Sequence, residues 1–188
     1  MSKYMQSNAV FTIIIIHVVI MFFVSLEPSL QSYLYMPTTV NEFLLKPWTL
    51  VTAIFVHENI WHMIIKLAIF CVFGTLLEKT TSSTRLVFIY LTTGALGAFT
   101  TLLYASIVNQ HVFFAAACSS ICGIVAHVSA INPDIKIVNI KAFDWMIGLF
   151  LMISFASIIS LETSLVIASH IVGLLFGYMS GMFKVANS

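Results

Sequence analysis

Six runs of apolar residues, each about as long as the 20-residue segment a helix needs to cross a bilayer, divide the chain. They cover Val10–Leu26, Asn59–Leu77, Arg85–Val108, Phe113–Ile131, Trp145–Leu161 and Leu165–Phe183. In hydrocarbon every backbone N–H and C=O must be satisfied within the segment, so such runs predict α-helices. The pattern therefore predicts an all-α integral membrane bundle of six transmembrane helices. With short connections between most spans, residues 1–188 are expected to form a single membrane domain.

Two stretches depart from simple spans. The start, "MSKYMQSNAV", leads into the first run, and no small-residue cleavage site follows it, so a retained helix is expected rather than a signal peptide. The segment Glu27–Glu58 is long for a loop and rich in Pro, Tyr, Trp and Phe. Its "KPWTLVTAIFVHENIWH" alternates aromatic and aliphatic residues without a run long enough to span. It reads as an interfacial element in the outer leaflet, anchored by Trp48 and Trp61. An ordinary aromatic belt would place the same two tryptophans there.

Composition agrees with the pattern. The chain is 60% hydrophobic and 8% charged, with a mean hydropathy of +1.05. Soluble domains carry about a quarter charged residues, so a soluble domain is excluded. The net charge of +1 points away from a nucleic-acid partner and leaves membrane lipids as the expected surroundings. If the spans alternate, Lys3, Lys79, Arg85, Lys136, Lys141 and Lys184 share one side. Lys46 stands on the other with Glu27, Glu42, Glu58 and Glu162, and Lys66 lies within the second span. The positive-inside bias puts both termini in the cytoplasm. A bacterial inner membrane is expected, since no Arg-rich transit segment precedes the first span. Cys71, Cys118 and Cys122 all fall within spans, so no disulfide framework is expected.

Small residues predict which helices touch. Gly173, Gly177 and Gly181 recur every four residues in the last span. Such a doubled G-x-x-x-G lets a second helix approach closely. The fourth span offers a matching face in Ala115, Ser119 and Gly123, with Ala116 beside it. That packing would bring the Cys118–Ser120 region near His170.

Ionisable groups within spans are costly and mark functional or paired sites. Here they are His17, His62, Lys66, His127 and His170, with His57 just outside. His17 and His127 stand alone and read as packing histidines. A histidine facing a thiol or hydroxyl on a neighbouring helix is the minimal nucleophile–base pair, so Cys118 or Ser119 with His170 forms a candidate dyad. His57, His62 and Lys66 would line a cavity beside it. The same Ser, Cys and His residues are also those by which membrane helices hydrogen-bond to one another. No cofactor is implied and no metal site is expected, since His57 and His62 are five apart and lack a third convergent ligand.

Four stretches resemble the rhomboid intramembrane proteases. "PWTLVTAIFVHENIWHMIIKLAIFCVFGTLLE" is similar to the family's first loop and second helix, with Trp48, Thr52, Phe55, His57, His62, Gly74 and Glu78 at the pattern positions. "TTGALGAF" is similar to the third helix, "AACSSICGIVAHVSAINPDIKI" to the fourth with its G-x-S-G, and "SHIVGLLFGYMSG" to the sixth with its A-H-x-x-G-x-x-x-G. The resemblance implies six helices, a nucleophile opening helix four, a histidine on helix six and oxyanion donors from helix two. It also implies a lateral gate and recognition of substrate transmembrane segments.

Position by position, the chemistry departs from that pattern. Counting back from Gly123 and Pro133 places Cys118 at the family's serine, so G-x-S-G reads here as Ala116-Ala117-Cys118-Ser119. Lys66 stands where the family has an oxyanion asparagine; His57, His62 and His170 keep the family's residue type. A thiol must reach thiolate to react, and Ser119 lies about 100 degrees further round the helix. Losing a glycine before the nucleophile is expected to crowd the backbone there, and losing one oxyanion donor slows acyl transfer by about 10²–10³-fold. The expected function is that of a rhomboid-like pseudoprotease that binds transmembrane helices of client proteins or serves in a larger membrane complex. The alternative is an active intramembrane protease using Cys118 or Ser119 with His170.

Overall fold

The structure, a computed structural model, describes residues 8–57, 59–109, 116–159 and 161–186. Lys3, Glu58 and the expected start of the fourth span, Phe113–Ala115, lie outside these residues, as does the side chain of Glu162. Nine α-helices are found among the described residues. The long ones are α1 (Asn8–Leu26), α5 (Ile60–Thr80), α6 (Ser83–Val108), α7 (Ala117–Ile131), α8 (Ala142–Ile159) and α9 (Leu161–Ala186). Each overlaps one of the six expected runs. Three of them, α1, α5 and α6, are long and apolar enough to cross a membrane, and Ala117–Ile131 and Ala142–Met152 are shorter apolar helices.

The segment after α1 is neither a span nor a loose loop. It folds into a 3₁₀ turn (Pro28–Leu30) and three short helices, α2 (Gln31–Leu34), α3 (Val40–Leu45) and α4 (Thr49–Thr52). One side of it, with Leu44, Leu45, Trp48 and Val51, is exposed, as an interfacial element requires, while Tyr35, Met36, Ala53, Ile54 and Val56 are buried. Trp48 is further held by its indole N–H, which donates to the Tyr33 carbonyl at 2.9 Å. The segment thus has one exposed apolar side and one side in the protein core.

α7 is the centre of the bundle. Every residue from Ser119 to Ala130 is buried, with α5, α6, α8 and α9 packed around it. Glycines allow this crowding. A methyl at Gly173 would press on the Ser119 carbonyl, one at Gly177 would overlap the Gly123 backbone, and one at Gly181 would lie 2.6 Å from Ala130 Cβ. The expected contact between the fourth and sixth spans is therefore present along its length. α6 joins the same seam, which the sequence reading left out: Gly97 faces Ser119, Gly94 faces Ser120, and Thr93 faces Gly123.

Helix ends are closed by named groups. Asn59 caps α5, its side chain accepting from the His62 N–H, and Ser82 caps α6 by accepting from Arg85 N–H. The N-terminus of α1 has a long-range cap. Glu78, near the end of α5, accepts from the Ala9 and Val10 N–H groups at 3.1 and 3.3 Å, and from the Ser83 hydroxyl at 2.6 Å. The first N–H groups of a helix have no partner within it, and a carboxylate there also meets the positive end of the helix dipole. Between α7 and α8 a hairpin pairs β1 (Lys136–Ile137) with β2 (Ile140–Lys141). It turns on Val138 and Asn139, both at positive φ (51° and 62°), as a type I′ turn demands.

Candidate functional site at the start of helix α7

Ala116 precedes α7 and is fully buried. Its N–H donates to the Ala53 carbonyl at 2.7 Å, which ties the start of α7 to the end of α4. Its φ of −91° and ψ of 0° fall in the bridge region open to L-residues, so this position does not need a glycine for its backbone. What the methyl changes is volume alone.

Within the first turn of α7, adjacent side chains separate. Cys118 is half-buried and faces a cavity of about 150 Å³ between α5, α7, α8 and α9. His170 of α9 and both Lys66 and His62 of α5 line the same cavity. The thiol therefore shares the cavity with the His170 imidazole and the Lys66 ammonium. Cys122, four residues on and so on the same helix face, adds a second sulfur to the wall. The remaining walls are aliphatic, and two of their residues, Ile65 on α5 and Met152 on α8, are also exposed on the outside of the bundle. The cavity therefore opens sideways between α5 and α8, towards lipid.

Ser119 points elsewhere. It is fully buried, and its hydroxyl lies 2.8 Å from both the Thr93 carbonyl of α6 and the Ser169 carbonyl of α9. It sits in the notch left by Gly97 and Gly173 and does not line the cavity. The 100-degree step between neighbouring helix positions is what divides the two roles.

His57 also lies outside the cavity. It is buried, with Nε2 at 2.9 Å from Nδ1 of His17. His17 Nδ1 is 3.1 Å from the Phe55 carbonyl, and its Nε2 is 2.6 Å from the Tyr90 hydroxyl. His17 Nδ1 thus meets both the Phe55 carbonyl and His57 Nε2, while its Nε2 meets the Tyr90 hydroxyl. This cluster joins α1, the segment before α5, and α6. His17 is a packing histidine, as expected, but it is not alone. His127 likewise packs, with Nδ1 2.7 Å from the Ser180 hydroxyl of α9.

The structure thus brings Cys118, His170, His62 and Lys66 together and leaves Ser119 and His57 in separate polar contacts. Gly173, Gly177 and Gly181 serve helix contact. Cys122 was missed as a cavity residue although its i+4 spacing from Cys118 carried the signal. No group of three or more His, Cys, Asp or Glu side chains suited to a metal occurs among the described residues.

A bundle of apolar helices around one buried helix, with a thiol, an imidazole and an ammonium meeting in a lateral cavity, defines a membrane protein with an intramembrane polar site. The family model for the Rhomboid domain matches residues 45–187, well over half of the chain. The chain belongs to the rhomboid family and is an integral membrane protein. No curated protein matches it.

Proposed function

We propose that the protein holds transmembrane helices of client membrane proteins at its lateral cavity without cleaving them efficiently, alone or as a subunit of a membrane assembly. The observation that carries this reading is the state of the Cys118 position. Lys66 stands on the cavity wall with Cys118, where the family pattern has a neutral oxyanion asparagine. The cavity, about 150 Å³, matches a void that takes a single benzene-sized group. A main-chain carbonyl with its flanking residues needs more room. The apolar lateral opening suits a helix lying alongside.

A second reading is favoured by one feature of the cavity. Cys118 and His170 line the same cavity, the juxtaposition a thiol nucleophile and its base require, which supports a slow cysteine-type intramembrane endopeptidase. Ser119 is not the nucleophile in either reading. Cytoplasmic termini, from the Lys and Arg bias, and a bacterial inner membrane complete the proposal.

The test is association in liposomes between labelled protein and labelled single-span helices, read by energy transfer. Cys118→Ala and His170→Ala are expected to associate within about threefold of wild type. Association lost in both variants, with the fold intact, would contradict client binding that is independent of chemistry.

A further inference from the structure

Among the described residues the cavity wall carries three basic side chains, Lys66, His62 and His170, and no carboxylate. Among the described residues Lys66 forms no ion pair with a carboxylate, and it shares the cavity wall with the Cys118 thiol. A cation within a span is costly and is normally held by an opposite charge. A thiol is a weak acceptor, whereas an ammonium–carboxylate contact is a charge-assisted hydrogen bond of roughly twice the ordinary strength. Among the described lining residues no carboxylate is present to hold that cation.

The cavity also limits what an incoming carboxylate is attached to. A space of about 150 Å³ holds one side chain rather than a chain segment. Its walls beyond the basic cluster are aliphatic, and its mouth, between Ile65 and Met152, faces lipid. A partner entering that way arrives within the bilayer, with an apolar body and one acidic group.

We infer that the cavity is a side-chain pocket for a single Asp or Glu carboxylate on a client transmembrane helix, with Lys66 as the residue that determines this specificity. The inference rests on the client-binding reading and adds the chemistry of the client. On entry the carboxylate meets the Lys66 ammonium. No bond is made or broken. Client helices carrying one acidic residue in the outer half of the membrane are preferred over those with a neutral residue there.

The experiment uses the full chain in liposomes at pH 7.5 with labelled Leu/Ala-rich single-span peptides carrying Glu, Gln or Lys at one position, scanned through the outer half. Wild type is expected to bind the best Glu peptide about ten- to a hundredfold more tightly than its Gln counterpart, the range of a hydrogen bond to a charged group. Lys66→Gln is expected to flatten that preference, and Lys66→Glu to turn it towards the Lys peptide. Equal affinity of wild type for Glu and Gln peptides would overturn the inference and leave client binding standing. A Glu preference that persists in Lys66→Gln would overturn the role of Lys66. Binding of no peptide at all would overturn both the inference and the reading beneath it. Reversal by Lys66→Glu guards against loss through misfolding, since an unfolded variant has no preference to reverse.

Discussion

Gly177 of α9 lies on the backbone of Gly123 of α7: a Cβ there would overlap the Gly123 carbonyl oxygen and stand 2.7 Å from its Cα. Two helices in lipid gain little from hydrophobic burial against each other and are held by close packing, so this contact is central to the bundle. Gly177→Ala is expected to destabilise the fold by about 1–3 kcal/mol, as overpacking a tight interior does. Gly148→Ala is the control. A methyl there meets nothing within 4 Å, and the change is expected to gain about 0.5–1 kcal/mol from helix propensity. Thermal unfolding of both variants in detergent checks the contrast; similar shifts in the two would contradict it.

Glu78 gives a second prediction. Its carboxylate accepts from two N–H groups of α1 and from Ser83. Glu78→Ala leaves these donors unpaired and is expected to cost about 1–3 kcal/mol. Glu78→Gln keeps one acceptor oxygen and is expected to cost less. The readout is the same unfolding experiment, with hydrogen exchange of the first α1 amides as the local probe. Unchanged exchange at Ala9 and Val10 in Glu78→Ala would sink the capping role.

Ser119 separates packing from chemistry. Its hydroxyl is engaged with carbonyls of α6 and α9. Ser119→Ala is expected to lower stability by about 0.5–1.5 kcal/mol, the usual net worth of a hydrogen bond, and to leave client association unchanged. Ser119→Val should be far worse, because the added carbon collides with α6 or α9. Loss of association in a stable Ser119→Ala protein would put the hydroxyl back at the site.

The share of this picture that could be read from residues follows from which contacts are local. The six helices are written in apolar run length, and the α7–α9 contact in the four-residue spacing of small residues in both segments. Cys118 facing His170 follows from that register. The place of His57 does not, because its partner His17 lies forty residues away on another helix. Nor does the capping by Glu78, which spans about seventy residues of sequence. In the segment Glu27–Glu58, alternation of apolar residues marks two apolar neighbours, but only tertiary contact tells lipid from core. Gly94 and Gly97 of "TTGALGAF" carried the signal that α6 joins the tight seam, three apart on one face.

Outside the bundle, Asp134 and Lys141 pair at 2.7 Å across the hairpin, both exposed. Their hydrogen bond, and secondarily their charge, holds the Asp134 carboxyl below its ordinary value of 3.8 and the Lys141 ammonium above its ordinary 10.5. A depressed carboxyl contributes stability that is present above its unfolded pKa and lost as pH falls through the folded one. A raised ammonium contributes below its unfolded pKa and loses it as pH rises through the folded one. The hairpin is thus most firmly closed between the two limits, by a small amount, since solvent screens exposed pairs. Titration of Asp134 by NMR should show its midpoint move upward in Lys141→Gln. A midpoint that stays in place would contradict the pairing.

The measurement closest to the central claim is cleavage of a panel of single-span reporter helices in liposomes, with wild type beside Cys118→Ala, Ser119→Ala and His170→Ala. Client binding without efficient proteolysis predicts intact reporters with all four proteins, each shown to be folded. Cleavage by wild type that disappears in His170→Ala and Cys118→Ala, but not in Ser119→Ala, would contradict it and establish a cysteine-type protease.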